Sequence, residues 1–537
     1  MVRFAPADRG WKRRGFAIYR LALILFAAGF LVNAAFAAQP GPKKTLEFKI
    51  SRIRFEGVKI MPMADLERLA RAIQFKKVTL ARLKQFTAEI RQLYQSRGYL
   101  LARASVPPQK LKPGGDVRVL VSEGLYGKIK VEDNKHYTSR FVQNFFSKAT
   151  RRGIVEETTL QRQLLLLNEL PDITVRSLFL PGDAPGTSDV LLKVHDRTQF
   201  HLGLDYNNYG SPLVGRNRAG VALWMGHLIE SGDEFTFRYT DPFPSNSDPL
   251  IQTGYSAPLG SSGNRVAYGF SSAATTVSGD LAALNIQGDA KIHSLSLQRP
   301  MERTLSRSSN LTTGLTFKDV QNFVLGNTRV SRDKLRELTA SFDTNVVAGK
   351  TRTLASLLFT QGLGQLFGGH RNGDPESSRA GTGDEFTKFN LEAYHIRDLG
   401  KGRFVLGRFS GQASLKPLTV SEQFALGGPD SVRGFLQSDF LGDDGLTASV
   451  ELRQLLFSSK NHKVNLQGVG FVDYGEASLI RPGNGERPAR TFAGYGGGIR
   501  ASFGRTTTLR LDLGLPVTDK NSIDTKSVLY AQVASKF

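Results

Sequence analysis

The chain has 537 residues, no cysteine and a formal net charge of +23. The absence of cysteine excludes a disulfide framework, a thiol nucleophile and a Cys-based metal site. The positive charge is spread along the whole chain, and no Lys/Arg run is interleaved with aromatic residues. We therefore predict no nucleic-acid partner. A chain of this length can hold several domains.

Residues 1–37 have the three parts of a secretory signal peptide. A basic region that contains Lys12 precedes the apolar stretch Leu21 to Val32, and Ala35-Phe36-Ala37 fits a small-residue cleavage site. A membrane anchor is the alternative. Arg20 interrupts the apolar run, however, and leaves it shorter than the roughly 20 residues that a spanning helix needs. We predict a signal peptide, and hence export from the cytoplasm.

Residues 45–124 are predicted to form a small α+β domain. Phe48 to Phe55 alternates as a strand does, and apolar residues recur at helical spacing in Met63 to Ile73 and Leu80 to Arg97. Two further strands are predicted at Leu100 to Val106 and at Val117 to Ser122. The element order is β-α-α-β-β.

Residues 125–196 are predicted to form a second domain with the same element order. The sequence predicts a strand, two helices and two strands, at Tyr126 to Val131, Ser139 to Ala149, Glu157 to Leu170, Ile173 to Leu180 and Val190 to Val194. The two domains share topology more than sequence, which makes them a weak internal repeat.

Residues 197–537 alternate apolar and polar side chains in one segment after another. Phe235, Phe237 and Tyr239, for example, oppose Glu234 and Arg238. A soluble sandwich would also alternate. A signal peptide followed by about sixteen such segments instead favours a transmembrane antiparallel β-barrel with a wet lumen. The last segment ends on Phe537, on its apolar face.

A glycine-rich loop and a distant strand carry the most specific pattern in the chain. The loop, at about 417–440, contains LGGPDSVRGF, whose notable residues are Gly427, Gly428, Val432, Arg433, Gly434 and Phe435. The strand ends in Phe471-Val472-Asp473-Tyr474-Gly475 and places Asp473 and Phe471 on its polar face. An acid on that face is a natural partner for an arginine on an inward loop. In a narrow lumen, either charge alone would be costly to bury.

These motifs resemble those of the POTRA-plus-barrel outer-membrane proteins, and most closely the two-partner secretion translocators of the haemolysin/adhesin secretion-activation family. RGYLLARASVPPQ resembles part of the family's first POTRA domain, LLLNELPDITV part of its second, and Gly254 to Gly260 a recurrent barrel segment. The resemblance implies that the loop reaches into the barrel and that Arg433 pairs with Asp473. It also implies that Phe537 acts as a C-terminal insertion signal.

The resemblance implies an outer-membrane translocator whose POTRA domains lie in the periplasm. The POTRA domains would recognise an unfolded exoprotein of adhesin or haemolysin type, and the barrel would conduct it to the cell surface. The implied partners are this client, outer-membrane lipid and the barrel-assembly machinery, and we expect a monomer without a cofactor. One alternative is an assembly factor of the same superfamily, whose essential members carry more POTRA repeats. The other is a passive porin, which the POTRA pair and the VRGF loop disfavour.

Other candidate sites are rejected. The chain has no G-x-S-x-G, H-E-x-x-H or P-loop motif, so we predict no enzymatic activity. Asp241, Asn246 and Asp248 could suggest a metal loop, but the neighbouring prolines suit a short turn better, and we predict no metal. The run Gly494 to Gly498 could mimic a phosphate cradle. Alternation on both sides places it in a barrel strand, where glycines relieve crowding.

Two expectations concern the route of the client. The strand Ile173 to Leu180 should lie at a sheet edge, where an added strand can pair, and Val175, Arg176 and Ser177 are the candidate client-binding residues. Ala38 to Glu47 spans only about ten residues, too few for a tethered plug helix at about 1.5 Å per residue. We therefore expect the inward loop to be the main obstruction of the pore.

Overall fold

The computed structural model describes residues 47–110, 114–197, 199–326, 328–461, 463–518 and 526–537. The predicted signal peptide and the segment judged too short for a plug helix fall outside these residues, apart from Glu47. The chain divides into two compact units. Within the described part, one comprises residues 47–56, 63–89 and 105–120, and the other comprises residues 57–62, 90–104 and everything from residue 121 onward.

The first POTRA domain has a four-stranded sheet and two helices. The elements are β1 (Glu47–Glu56), α1 (Met63–Ala70), β2 (Lys77–Thr79), α2 (Leu80–Ser96), β3 (Arg103–Ser105) and β4 (Gly115–Ser122), and the sheet order is β2-β1-β4-β3. The predicted strand Leu100 to Val106 is shorter than expected. The N–H of Tyr99 bonds to the carbonyl of Tyr94 in the last turn of α2, and the N–H of Ala102 bonds to the carbonyl of Tyr99, so neither bonds to a strand. The short strand β2 was not predicted, because three residues are too few to show alternation.

The second POTRA domain has the predicted sheet and one more helix than predicted. Its elements are β5 (Leu125–Glu132), α3 (Ser139–Asn144), α4 (Ser147–Arg152), α5 (Glu157–Asn168), β6 (Ile173–Pro181) and β7 (Thr187–Asp196). The sheet order is β5-β7-β6, so β6 lies at an edge, as predicted. The helix predicted from Ser139 to Ala149 breaks at Phe145 and Phe146, whose N–H groups make tighter i→i−3 bonds. Both rings are buried, and the break lets two consecutive side chains enter one core.

Asp196, the last residue of β7, fixes the end of this domain. Its carboxylate accepts the backbone N–H groups of Lys135, His136 and Tyr137 at 3.0, 2.6 and 3.0 Å. Burial by itself raises the pKa of this carboxyl, but the three hydrogen bonds outweigh burial and hold the pKa below its ordinary value. A fixed chain end here positions the first barrel strand, which begins four residues later. No helix among the described residues is long and apolar enough to cross a membrane.

Within the described residues, the rest of the chain forms a closed barrel of sixteen strands, each antiparallel to its neighbours. The fold-class prediction is thereby confirmed, whereas the domain boundaries at residues 124 and 196 stay predictions. β25 (Val528–Lys536) pairs with β8 (Phe200–Asn207), with Gln532 opposite Asn207, and this pairing closes the barrel. β19 (Phe424–Leu426) and β20 (Phe440–Gly442) form a separate two-stranded sheet. The strands are β8 (Phe200–Asn207), β9 (Asn217–Gly226), β10 (Glu234–Phe243), β11 (Leu250–Leu259), β12 (Asn264–Thr276), β13 (Gln287–Arg303), β14 (Arg307–Val324), β15 (Thr328–Ala348), β16 (Thr351–Gly362), β17 (Thr387–Gly400), β18 (Arg403–Ser414), β19 (Phe424–Leu426), β20 (Phe440–Gly442), β21 (Asp444–Ser458), β22 (Val464–Ser478), β23 (Ala489–Phe503), β24 (Thr507–Pro516) and β25 (Val528–Lys536).

The two faces of the barrel strands follow the predicted alternation. On β22, Val472 is 64% exposed, whereas Phe471 and Asp473 on either side of it are 4% and 0% exposed. Val450 and Leu452 on β21 are likewise exposed, and Glu451 between them is buried. A barrel whose apolar residues face outward and whose charges face inward matches an outer surface in lipid and a polar lumen.

The connections lie alternately at the two ends of the barrel. The second POTRA domain leads directly into β8, and its Glu169 reaches Arg303 at the end of β13, with 2.6 Å between carboxylate oxygen and guanidinium nitrogen. Because each strand reverses direction, the connection after β18 (residues 415–443) leaves from the end opposite the POTRA domain. This connection carries the VRGF motif.

Candidate functional site in the barrel lumen

The connection between β18 and β21, here called the inward loop (residues 415–443), folds back against the inner wall of the barrel. β19 and β20 form a short hairpin in it, with Leu426 opposite Phe440. In the segment that joins the two strands of this hairpin, Val432 and Phe435 are fully buried in a cluster with Phe492 of the wall strand β23. The predicted inward course of the loop is present in the structure.

Arg433, at the tip of the inward loop, is fully buried and binds Asp473 of β22. Nε lies 2.6 Å from Oδ2, a second guanidinium nitrogen lies 2.7 Å from Oδ1, and the backbone N–H of Arg433 also donates to Oδ2 at 3.0 Å. The guanidinium lies over the Phe471 ring, 3.4 Å from its centroid. The predicted contact is therefore bidentate, the geometry in which arginine binds a carboxylate most strongly.

Further charges of the wall surround this pair. Arg433 also donates to Glu451 of β21 at 2.6 Å and lies 3.6 Å from Asp512 of β24. Glu451 has a second cation in Arg453, and Asp512 has two more in Arg500 and Arg510. Within the described residues, Asp473 has no cation other than Arg433. The loop arginine and Asp473 therefore depend on each other, whereas the other acids have other partners.

Glycines make room for the loop on both sides of the contact. Gly434 has φ of +104°, and a Cβ there would lie 2.8 Å from the backbone N of Pro516 in the wall. On the wall, a Cβ at Gly494 would lie 2.0 Å from the carbonyl oxygen of Arg433, and one at Gly475 would lie 2.9 Å from Val432 Cγ2. The third glycine of the wall, Gly514, would meet the N of Gly434 at 2.4 Å. The glycine run in β23 thus lies in a strand, as predicted, and admits the loop backbone.

Aromatic residues complete the contact. The rings of Phe435 and Phe492 stack with 4.0 Å between centroids and 7° between planes. The Tyr530 hydroxyl of β25 donates to the carbonyl of Phe435 and accepts the N–H of Gly434 at 3.1 Å. Nothing in the sequence marked Tyr530 or Phe492 as partners of the inward loop. Their contacts depend on how β25 and β23 are placed against the loop, and this placement is not visible in the sequence of the strands or of the loop.

A second anchor holds the base of the inward loop on another part of the wall. Glu422 is 2% exposed and binds Lys318 of β14 at 2.6 Å and Lys388 of β17 at 2.8 Å. Lys318 also binds Glu337 of β15 at 2.9 Å. Sequence reasoning missed this cluster, since its members are far apart in the chain and match no motif. Near the loop's other end, Asp443 pairs with Arg379 at 2.7 Å.

The other predicted loop residues lie in the turn that carries the arginine to the wall. Gly427 and Gly428 have φ of +101° and +108°, a region in which glycine is not strained. The N–H of Gly428 donates to the carbonyl of Val432 at 3.2 Å and closes the turn. Phe537 lies elsewhere, at the end of the last strand, with 62% of its surface exposed on the outer face.

The candidate client-binding residues lie on β6, apart from the lumen, and client binding by them stays a prediction, with Val175 placed least favourably. Its side chain is 4% exposed, inside the core of the POTRA domain. Its backbone N–H and carbonyl bond to the Asn168 side chain at 2.8 and 3.1 Å, so they cannot pair with an added strand. Arg176 and Ser177 lie nearer the surface. No group of acidic or histidine side chains suited to a metal ion occurs in the described chain, and this includes Asp241 and Asp248.

Replacing Gly475 with alanine should displace the inward loop without removing any charge. The new Cβ would lie 2.7 Å from Leu426 Cδ1 and 2.9 Å from Val432 Cγ2, and overpacking of this kind costs about 1–3 kcal/mol. We expect the conductance of Gly475→Ala in planar bilayers to exceed that of the wild type. Gly470→Ala, on the same strand, meets nothing within 4 Å and serves as the control. Equal conductance for all three proteins would refute this account of Gly475.

Replacing Glu422 with glutamine should destabilise the barrel. Two buried lysines would then share one carboxylate, and breaking a buried pair costs roughly 3–5 kcal/mol. We expect the free energy of unfolding in urea, measured by tryptophan fluorescence in detergent, to fall by about 3 kcal/mol. The control is Glu376→Gln, because Glu376 forms an exposed pair with Arg329 and such pairs contribute at most about 1 kcal/mol. Equal losses in the two variants would contradict the role of Glu422.

Comparison with known proteins agrees with this architecture. Residues 186–501 match the model of the haemolysin secretion/activation proteins ShlB/FhaC/HecB, and residues 48–124 match the ShlB-type POTRA domain. The heme/hemopexin transporter HuxB of Haemophilus influenzae strain 86-028NP is 25% identical over 418 residues, covering 74% of this chain and 70% of HuxB. The outer membrane transporter CdiB of Dickeya dadantii strain 3937 is 25% identical over 401 residues, covering 74% and 71%.

The fold is also that of a solved relative. CdiB from Escherichia coli superimposes with a TM-score of 0.74 at 20% identity, with all of both chains covered. The relatives are two-partner secretion transporters of the outer membrane, so the barrel lies in that membrane and the POTRA domains lie in the periplasm. The resemblance drawn from the VRGF and FVDYG motifs is confirmed. The match to the family model covers more than half of this chain, so the chain belongs to the haemolysin secretion/activation family ShlB/FhaC/HecB.

Proposed function

We propose that this chain exports one large exoprotein of adhesin or haemolysin type, which reaches the periplasm unfolded. The observation that carries the proposal is the buried contact between Arg433 and Asp473, which holds a loop from the extracellular end inside the lumen. A porin needs only an open channel and has no use for such a contact. Transporters of this family act with a secreted partner protein, and the size and type of that partner are our inference.

The barrel can supply the path. Sixteen strands enclose a lumen wide enough for water, and the inward loop occupies part of it. An extended chain could pass beside the loop or displace it. The periplasm offers no nucleotide, so we infer that folding of the client outside the cell supplies the work, without a cofactor or enzymatic activity.

The edge strand β6 is the proposed place of client capture. The backbone N–H and carbonyl of Val175 point away from β7 and bond to the Asn168 side chain. Because the backbone groups of an edge strand point alternately toward and away from its neighbour, Ser177 is the next residue whose N–H and carbonyl point away from β7. Leu178 and Leu180 follow, with 48% and 38% of their surfaces exposed. An unpaired edge with apolar side chains suits the addition of an extended client strand. Pairing should therefore begin at Ser177, two residues later than Val175.

Further partners complete the proposal. Residues 1–37 would direct export to the periplasm, and the C-terminal Phe537 would be recognised by the barrel-assembly machinery. The outward apolar face would contact outer-membrane lipid, and one chain would suffice as a monomer, because a closed barrel leaves no unpaired edge. The alternative within the superfamily, a barrel-assembly factor, is disfavoured by the short periplasmic part. A neighbouring gene for a large secreted protein would distinguish the two.

Replacing Arg433 with alanine should abolish most secretion while the barrel stays folded in the membrane. Asp473 would lose its one cation, and the loop would lose its fixed position across the lumen. The loss of a buried pair costs roughly 3–5 kcal/mol, and less where water can enter. Secretion is measured as client in the culture medium, and folding as heat-modifiable migration of the barrel. Arg487→Ala, in an exposed connection, is the control. Normal secretion by Arg433→Ala would overturn the role of this contact.

Placing proline at Ser177 should impair secretion through the loss of one outward N–H. Because that N–H does not pair with β7, the POTRA sheet should stay intact. Ser177→Ala keeps the N–H and should secrete as the wild type does. Client binding to the purified full-length protein provides a second readout. If Ser177→Pro binds and exports the client normally, capture occurs elsewhere, and the export proposal itself stands.

A further inference from the structure

The outer face of β13, β14 and β15 changes from apolar to basic toward the extracellular end. The strand register fixes neighbouring rows of outward residues. The row nearest the membrane centre is apolar, and the next three rows contain Arg or Lys. From the membrane centre outward, the rows are Leu295–Leu315–Leu338, His293–Phe317–Arg336, Lys291–Asp319–Lys334 and Asp289–Gln321–Arg332.

The position of these rows matches the boundary of the membrane. Leu338 and Phe342 are 43% and 46% exposed on the outer face, and the outward residues continue to Val346. The nine residues from Leu338 to Val346 in this tilted strand span about 20 Å, close to the roughly 25 Å apolar band of an outer-membrane barrel. The basic rows therefore begin where the acyl chains of the outer leaflet end.

The charge of the rows is predominantly positive. Arg332 is paired with Asp319 at 2.7 Å, and Lys291 lies 3.9 Å from Asp289. In the described part of the chain, neither Lys334 nor Arg336 forms an ion pair. The Arg336 guanidinium lies 5.3 Å from the centroid of the Phe317 ring and donates to the carbonyls of Lys318 at 3.0 Å and Phe367 at 3.2 Å, and these partners are neutral.

A groove of about 530 Å³ connects the basic and the apolar rows. Its lining includes Lys291 toward the extracellular end, Phe317 and Arg336 in the next row, and Tyr268 and Leu295 toward the membrane centre. Phe367, from the connection after β16, lies with its ring 6.1 Å from that of Phe317 and is 59% exposed. A cationic end joined to an apolar end is complementary to a phosphorylated lipid.

We propose that this groove binds the phosphorylated glycolipid of the outer leaflet, lipid A, with its phosphates on Lys291 and Arg336 of the groove and on Lys334, which lies beside the groove in the row of Lys291. The acyl chains would lie along Leu295, Leu315 and Leu338. The site does not depend on export or on the inward loop, because the side chains assigned to the phosphates and to the acyl chains face away from the lumen. Its role would be to hold one lipid at a fixed place on the barrel wall.

The test compares three ligands on the purified full-length protein in detergent: lipid A with two phosphates, with one and with none. Native mass spectrometry measures the bound fraction. We expect the wild type to bind the diphosphorylated form most tightly. The triple variant Lys291→Gln/Lys334→Gln/Arg336→Gln should bind that form on the order of 100-fold more weakly, because each basic residue near an anionic surface contributes about a fivefold factor.

A matched control removes three charges at the periplasmic end of the outer face. Arg299→Gln/Lys350→Gln/Arg397→Gln alters residues that are exposed there, and it should bind lipid A as the wild type does. Equal weakening in both triple variants would reduce the effect to net charge and overturn the site. Equal binding of the phosphorylated and dephosphorylated forms by the wild type would also overturn it, even if the variant failed to fold. Inorganic phosphate as a competitor distinguishes a headgroup site from a site for the free anion, since only the latter would be displaced at low millimolar concentration.

Discussion

The structure of the lumen depends on one buried charge. A guanidinium without access to water is tolerated only when carboxylates surround it. Asp473, Glu451 and Asp512 meet this condition around Arg433. Glu451 and Asp512 are also neutralised by wall arginines, whereas Asp473 has only the loop arginine among the described residues. The charge of Asp473 is therefore balanced by a neighbouring cation only when the loop is inside the lumen.

Steric fit and charge act together at this contact. The loop backbone reaches Asp473 because Gly475, Gly494 and Gly514 leave space on three neighbouring strands. Any side chain at Gly494 would occupy the position of the Arg433 carbonyl. The second anchor, Glu422 with two lysines, fixes the base of the same loop on strands far from the first. A loop anchored at two separate places keeps one position in the lumen. Export then requires either that the client pass beside the loop or that the loop leave this position.

Much of the fold was predictable from the sequence, because strand alternation and helical spacing are local. Sixteen alternating segments gave the barrel, and the outward parity of Val472 against Asp473 was correct. The pairing of Arg433 with Asp473 came from resemblance to a family. Spacing alone could not have supplied it, since forty residues separate the two.

The features that sequence reasoning missed all depend on register between distant segments. Tyr530 meets the loop only because β25 lies beside β24, and Glu422 meets Lys318 only because the inward loop folds back onto β14. The hydrogen bonds of the Asn168 amide to the backbone of Val175 depend on how the preceding helix packs. The helix predicted from Ser139 broke because Phe145 and Phe146 both enter the core, which local periodicity does not show.

A double-mutant cycle on Arg433 and Asp473 tests the central claim most directly. The free energy of unfolding is measured in urea for the wild type, Arg433→Ala, Asp473→Ala and the double variant. If the two residues stabilise the protein through each other, the double variant loses less than the sum of the single losses, by at least about 1 kcal/mol. Losses that add within about 0.5 kcal/mol would contradict the account, because the two charges would then act independently.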